Sequence, residues 1–503
     1  MKRLLYLALF LFLTYSIYLG AYSVLHGELN FFNDVARDFL LLQELDQKKI
    51  VFIGPRSSTN GLFHGPLLTY IDYPAYLLGQ GNPVAVAWFW VGMGTVFLIT
   101  SFFMIKKLFG MLPAAVFVLL VSVKMAPHLN GVFEPEAMYF VMPAFLFSII
   151  QYVKTGKWKY LVFHLIITAV FIQLSIGIGI QFLMLSTPII FYLIYKQKSW
   201  KHLFSFLVIP IFTANYIIFD IRHDFRMARA LLGTGESTKF FISLPDWISN
   251  RFQNIFSLQL LEGNHNLLPF LALIFIILMF CTALEIKKSK QQRPIYILFT
   301  IYYFGYYALS YFNKGVLLFH YIYLLVPFTI LWLVSFLEGR YKILFAILIL
   351  IVYILNLQSS ISYSSYLRDG FIGKNPYSWL GLSSVAQEVI SQQKGKEFGY
   401  FVYAPDAYAY QPRYAMMYNF KSANAKASEY VKESTTYVIA APAPPDKPYM
   451  GYEWWIKNSA KISNKPVRIE KFPNGYTTEM YHLTPQEQKI PFDPNIELGI
   501  HFR

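Results

Sequence analysis

Charged residues are scarce in this sequence. They make up 14% of its 503 residues, whereas soluble proteins carry about 25%. Hydrophobic residues reach 56% and aromatic residues 19%, so the chain has too little polar surface to cover a set of water-soluble domains. This composition excludes a disordered, collagen-like or soluble protein, and it indicates an integral membrane protein.

Cysteine is almost absent. The single cysteine, Cys281, lies within an apolar run, so no intrachain disulfide can form and thiol chemistry is not indicated. The sequence also lacks the histidine and cysteine spacing of a zinc site. It therefore predicts no firmly bound cofactor and leaves open whether a divalent metal is needed.

Long apolar runs dominate the first two thirds of the chain. A helix needs about 20 apolar residues to cross a bilayer core of ~30 Å, and about eleven runs are candidates. They lie near 4–24, 84–105, 112–126, 137–153, 160–173, 175–195, 203–219, 267–285, 294–312, 315–337 and 341–357. The first run also fits a cleaved signal peptide, but the many runs behind it favour an uncleaved anchor.

The net charge of +15 could suggest a nucleic-acid partner, but the placement of the charges argues against one. Nearly all of the surplus lies in six short connections between apolar runs. The cations there are Lys2, Arg3, Lys106, Lys107, Lys154, Lys157, Lys159, Lys196, Lys198, Lys201, Lys287, Lys288, Lys290, Arg293, Arg340 and Lys342. This is the positive-inside pattern. It predicts a multi-pass protein of the plasma membrane with a cytoplasmic N-terminus and no nucleic-acid partner.

The longer segments fall on the predicted outer side. We expect a transmembrane domain over 1–357 with outer loops at 25–83 and 220–266, followed by a soluble extracytoplasmic α/β domain over 358–503. Residue periodicity in this tail predicts several strands and helices. The strands are expected at Phe398–Tyr403, Thr436–Ala441, Val467–Lys471 and Tyr476–His482, and the helices at 378–393 and 450–460.

An acidic motif follows the first apolar run directly. In a helix, Asp34, Arg37 and Asp38 would share one face, and the residues between them are apolar. Taken alone, this segment is typical of an amphipathic helix at the membrane interface with one salt bridge. Two Gly-Pro pairs further along the loop predict an ordered segment with several turns.

The order of these motifs resembles that of a known family. One span is followed by Asp34-Val35-Ala36-Arg37-Asp38, then Ile53-Gly54-Pro55, then His64-Gly65-Pro66-Leu67 before a second span. This order is similar to that of polytopic glycosyltransferases of the C-type fold, specifically the family 39-like relatives of protein O-mannosyltransferases and aminoarabinose transferases. Many relatives carry Asp-Glu where this chain has Asp34-Val35.

The resemblance implies transfer of a sugar from a polyprenyl-phosphate donor on the outer side, with Asp34 as the catalytic carboxylate and Arg37, Asp38 and His64 in support. The chemistry is consistent with this. An acceptor hydroxyl that displaces phosphate from an anomeric carbon needs a base to remove its proton. Phosphate leaves without a carboxylic acid to protonate it, unlike the leaving group in glycoside hydrolysis. The acceptor is expected to be a lipid, a glycan or a protein.

A second acidic pair, Glu134 and Glu136, precedes a later apolar run. It resembles the acidic motif in the second outer loop of this fold, which in some members holds a metal or orients a substrate. A helix start explains the pair equally well, because Pro135 suits a first turn and the helix dipole favours an acid there.

Cations that could bind a lipid phosphate lie at the predicted outer ends of two spans. Arg222 and His223 follow the seventh apolar run, and His320 lies near the outer end of the tenth. An arginine can give two parallel hydrogen bonds to a phosphate. A packing role is the alternative for His320.

Other classes of protein remain as alternatives at this level. A transporter or flippase of lipid-linked saccharides would carry ionisable residues in mid-span, and the apolar runs hold almost none. A polysaccharide polymerase or ligase would rely on a large outer loop rich in arginine and histidine. A structural scaffold would not need Asp34 or Arg222.

Overall fold

The computed structural model describes residues 2–57, 59–129, 132–232, 243–261, 267–311, 317, 319–393, 395–406, 408–443 and 451–497. The helices in this part of the chain are α1 (Lys2–Leu25), α2 (Asn33–Lys48), α3 (Leu67–Leu78), α4 (Pro83–Phe109), α5 (Met111–Met125), α6 (Glu134–Thr155), α7 (Trp158–Leu174), α8 (Ile176–Gln197), α9 (Val208–Phe212), α10 (Ala214–Arg222), α11 (Arg226–Leu231), α12 (Leu244–Ser257), α13 (Leu268–Lys288), α14 (Arg293–Ser310), α15 (Phe319–Ile322), α16 (Leu325–Val334), α17 (Lys342–Tyr366), α18 (Trp379–Gln393), α19 (Tyr410–Ser422), α20 (Tyr452–Trp455) and α21 (Pro485–Gln488).

Seven described helical segments are long and apolar enough to cross a membrane. They are Leu7–Leu25, Pro83–Phe109, Met111–His128, Pro135–Thr155, Ile176–Gln197, Leu268–Lys288 and Lys342–Phe371. The bent pair Trp200–Phe212 and Ala214–Arg222, with 50° between its halves, makes an eighth if it counts as one span. All eleven predicted runs contain helix, but the count of eleven is not confirmed, because α7 and Leu325–Glu338 are short and α14 is rich in tyrosine.

The ends of α4 show how the sequence sets the limits of a span. The Asn82 side chain accepts a hydrogen bond from the Val84 N–H at 3.0 Å, and Pro83 occupies the first turn. At the other end, Lys106 and Lys107 fill the last turn before Gly110, whose φ is 95°. Both ends therefore satisfy helix preferences, since prolines suit first turns and cations suit last turns.

A five-stranded sheet lies in the C-terminal region. Its strands are β1 (Phe398–Tyr403), β2 (Ala427–Glu429), β3 (Thr435–Ala440), β4 (Arg468–Lys471) and β5 (Thr477–His482). Their order is β2-β1-β3-β5-β4, and the two pairs that contain β1 are parallel while the two that contain β5 are antiparallel. The four predicted strands are confirmed to within one residue at each end, and α18 matches its predicted helix.

The sheet is mixed because α19 carries the chain from β1 back to β2, which lets these strands run parallel. Neither α19 nor β2 was predicted. The helix is central to the architecture, since it also packs against α2 of the 25–83 loop, where the rings of Phe39 and Tyr414 lie 5.3 Å apart. The C-terminal α/β region is thus joined to the loop that holds the acidic motif.

Candidate active site

The acidic motif forms a compact charged group at the start of α2. The Arg37 guanidinium donates from Nη1 to Asp34 Oδ1 at 3.0 Å and from Nη2 to Asp38 Oδ1 at 2.9 Å. The predicted shared face is therefore present, with two ion pairs rather than one. The Asp34 side chain is 49% exposed, whereas those of Asp38 and Arg37 are 19% and 13% exposed. Asp34 is the carboxylate of this group that a substrate can reach.

The opposite face of α2 is apolar and buried, with Val35, Ala36, Phe39 and Leu42 among its residues. This face is covered by protein, because α19 packs on the helix. The apolar face expected to lie at the membrane interface is therefore buried against protein, and α2 is fixed by its contacts with α3 and α19. A helix held on this face presents Asp34 in one orientation.

His64 lies in a hairpin between α2 and α3. The Gly54 N–H donates to the His64 carbonyl, and the His64 N–H donates to the Pro55 carbonyl, both at 2.8 Å. A Cβ on Gly65 would overlap the Gln173 side chain, so the close approach of this hairpin to the end of α7 needs glycine. The predicted ordered loop with turns is confirmed.

The side chain of His64 is close to the charged group. Burial, together with the smaller effects of the positive charges of Arg37 and His320, lowers the pKa of His64 to about 3. His64 is consequently neutral at neutral pH. It can donate or accept a hydrogen bond beside Arg37, but it cannot supply a cation to a phosphate.

The second acidic motif reaches the same region through Phe133. Its ring lies 5.4 Å from Phe32, which precedes α2, and 5.8 Å from His320. Asp34 is near enough to His320 for its charge to act on the imidazole. Three segments that are distant in sequence, the starts of α2, α6 and α15, are thus brought together.

Glu136 forms a pair of its own. Its Oε1 lies 3.2 Å from His128 Nδ1, and the His128 ring packs against Tyr323 with centroids 4.2 Å apart. These three side chains and Trp90 line a small cavity. Glu134 begins α6, as the helix-start alternative requires, but its side chain lies outside the described residues.

Arg222 ends α10, His223 follows it, and both residues are exposed. The Arg222 guanidinium lies over the Phe52 ring at 5.8 Å, and His223 stacks on Phe219 at 4.1 Å. Phe219 in turn contacts Phe63, next to His64. Arg222 and His223 therefore border the hairpin of the 25–83 loop, whereas His320, the third predicted donor-phosphate residue, lies near Asp34.

Asp72, near Asp38, belongs to no recognisable sequence motif. Asp72 in α3 is 5% exposed and accepts a hydrogen bond from Trp90 Nε1 at 3.1 Å. Burial raises its pKa, and the nearby Asp38 raises it further, so this carboxyl favours its neutral form. A lone acid within an apolar helix is the signal that could have revealed it.

The C-terminal region also contributes to the site. Burial raises the pKa of Tyr410 to about 12, while Arg37 and Arg56 act in the opposite direction, which places this tyrosine near both cations. Its ring stacks on the exposed Tyr408 at 5.3 Å. No spacing in the sequence pairs this segment with the 25–83 loop.

A metal site is not apparent in the described ranges, where no group of three or more histidine, cysteine, aspartate or glutamate side chains is placed to hold an ion. The carboxylates of Asp34 and Glu136 have Arg37 and His128, respectively, as their partners.

Comparison with known proteins shows the fold. No family model and no curated protein sequence matches this chain. The crystal structure of ArnT from Cupriavidus metallidurans in the apo state matches with a TM-score of 0.61 at 10% identity, over 95% of this chain and 98% of that one. The structure of the same protein bound to undecaprenyl phosphate matches with a TM-score of 0.60 at 11% identity, over 94% of this chain and 98% of that one.

These two structures confirm the fold expected from the motif order, a C-type glycosyltransferase fold with a small C-terminal sheet. An oligosaccharyltransferase of Archaeoglobus fulgidus in the apo form is more distant, with a TM-score of 0.45 at 12% identity over 86% of this chain and 69% of that one. The fold assignment depends on the two ArnT structures alone.

Proposed function

We propose that this protein is an integral membrane glycosyltransferase that moves a sugar from a polyprenyl-phosphate donor to an acceptor hydroxyl or amine on the outer side of the membrane. The observation that carries the proposal is the exposed Asp34 carboxylate, held by Arg37 on a fixed helix, in a chain that shares its fold with ArnT. The ArnT that binds undecaprenyl phosphate supports a polyprenyl-phosphate donor here.

Asp34 acts as the general base in this proposal. The acceptor oxygen attacks the anomeric carbon as its proton passes to an oxygen of Asp34, and the bond between that carbon and the phosphate oxygen breaks. The phosphate leaves with the bonding electrons and stays on the lipid. Arg37 fixes the carboxylate through one oxygen, and Asp38 fixes Arg37 from the other side.

Cations must bind the phosphate as its charge increases. Arg222 suits this role because its guanidinium is exposed and can form bidentate hydrogen bonds. His223 adjoins it, and His320 is close to Asp34. His64 lies beside Arg37 as a neutral side chain that orients the group.

The acceptor belongs to the cell envelope, as a lipid, a glycan or a protein. A neutral acceptor hydroxyl needs the base that Asp34 supplies, whereas a neutral amine would attack through its lone pair and pass a proton to Asp34 afterwards. The exposed Tyr408, which stacks on the buried Tyr410 near Arg37, offers aromatic surface to an acceptor.

A flippase of lipid-linked saccharides is the alternative function. A transport path would use ionisable groups in mid-span. The buried His164 of α7 is instead hydrogen-bonded to Ser148 at 3.1 Å and to Ser186 at 3.0 Å, which suits packing between helices.

The decisive experiment follows a labelled sugar on polyprenyl phosphate in membranes that contain the protein. A transferase moves the label to an acceptor and releases the lipid phosphate. A flippase moves the intact labelled lipid between leaflets, and that result would reject the proposal. Asp34→Asn serves as the inactive control, because it should stop transfer while the donor still binds.

A further inference from the structure

Glu28 is a fully buried acid to which the proposed reaction gives no role. It is 0% exposed and lies between α1 and α2. Its Oε1 accepts hydrogen bonds from the backbone N–H groups of Trp379 at 2.6 Å and Leu380 at 3.4 Å. The hydroxyl of Ser378 donates to its Oε2. These partners form the start of α18 in the C-terminal region.

The physical reason for this contact is the unsatisfied end of a helix. The first N–H groups of a helix have no partner within it, and they carry partial positive charge that a carboxylate stabilises. Ser378 caps its own helix by accepting from the Gly381 N–H at 3.0 Å. Glu28, which is 350 residues away from Ser378 in sequence, accepts hydrogen bonds from the N–H groups of Trp379 and Leu380.

The residues after Glu28 are also tied to the C-terminal region. The Phe31 N–H donates to the Tyr377 carbonyl at 2.7 Å, and Gln411 Nε2 donates to the Phe31 carbonyl at 2.7 Å. The helix α2 begins at Asn33, so Asp34 follows this anchored segment within three residues. The path of the chain from Glu28 to Asp34 is set by contacts that come from α18 and α19.

We propose that Glu28 is a positioning residue that holds the start of α2, and with it the Asp34 carboxylate, on the C-terminal α/β region. This inference rests on the proposed function of Asp34. Glu28 touches no substrate. It acts by fixing the position of the Asp34 carboxylate. The rate of transfer is sensitive to that position, because a misplacement of ~1 Å can lower the rate about 100-fold.

The test compares three variants in the full-length protein in membranes or detergent. Glu28→Ala removes the carboxylate, and Glu28→Gln keeps one oxygen that can still accept from Trp379. Glu479→Ala is the matched control, because Glu479 is a partly buried acid whose hydrogen bonds from Tyr452 and Tyr481 lie within the C-terminal region itself. The measurements are kcat, the donor KM, and hydrogen–deuterium exchange of the segment 29–40.

We expect Glu28→Ala to lower kcat by about 100-fold with little change in the donor KM, and to speed exchange in the segment 29–40. Glu28→Gln should show a smaller effect of both kinds, and Glu479→Ala should show neither. A general loss of folding in Glu28→Ala would instead speed exchange throughout the chain and not only in the segment 29–40. If Glu28→Ala does not insert, the Glu28→Gln protein decides the outcome.

Unchanged exchange in the segment 29–40, or a fall in kcat no larger than that of Glu479→Ala, would overturn the role of Glu28. The exchange measurement needs no activity, so it separates this inference from the proposed function. A wild-type protein that transfers no sugar would reject Asp34 as the base, while altered exchange in Glu28→Ala would still show that Glu28 holds α2.

Discussion

Replacing Asp34 by asparagine is the most direct test of the proposed mechanism. The amide keeps the shape of the carboxylate but cannot accept the proton. Loss of general-base catalysis costs about 10²–10⁴-fold in rate, which corresponds to about 2.7–5.4 kcal/mol of transition-state stabilisation. The Asp34→Asn protein should therefore be nearly inactive at saturating donor.

The cost of the same change to the fold should be far smaller. Asp34 is 49% exposed and gives up one ion pair, with Arg37 at 3.0 Å. Exposed pairs of this kind contribute about 0.2–1 kcal/mol. Expression, membrane insertion and the thermal unfolding midpoint should stay close to those of the wild type, and so should donor binding, because Asp34 does not hold the phosphate.

The assay follows labelled polyprenyl-phosphate sugar in membranes and measures transfer and donor binding separately. Asp38→Asn is the matched control, because Asp38 lies four residues on and contacts the same guanidinium at 2.9 Å. It should lower the rate less than Asp34→Asn does. Near-normal turnover by a folded Asp34→Asn protein would refute the assignment, and Glu134 and Glu136 would then be the next candidates.

Three further predictions concern the donor, the pH response and the topology. Arg222→Ala should weaken donor binding by about 10- to 100-fold through loss of a charge-assisted contact; unchanged affinity in a titration with the lipid would move the phosphate site, for instance to His320. Because the pKa of His64 in the folded protein is about 3, below its ordinary 6.5, the unfolded state binds the extra proton, and stability should fall as the pH drops from about 6.5 towards 3. The thermal unfolding midpoint of a His64→Gln protein should fall less over this pH range than that of the wild type. An equal fall in the two proteins would contradict the burial of the imidazole. Reporter fusions after Lys288 and after Lys374 should lie on opposite sides of the membrane; the same side for both would refute the predicted orientation.

Local patterns predicted much of the fold. The apolar runs contain helix wherever they were expected, because a segment that avoids water must also satisfy its own backbone hydrogen bonds. The strand β1 was predicted to the residue, since a short run of aromatic residues with one valine is typical of a strand. The count of spans was not predictable in this way, because the tyrosine-rich helix α14 and the short helix α7 bury much of their surface against neighbouring helices.

The sequence by itself determined that this is a membrane protein and that Asp34, Arg37 and Asp38 form one group, because helical spacing is a local property of the chain. Only the tertiary structure decided what surrounds that group. The pairing of Glu28 with α18 and of Asp72 with Trp90 joins residues that no periodicity relates. Such contacts form between segments far apart in sequence when burial forces each polar group to find a partner, and the choice of partner depends on how the whole chain packs.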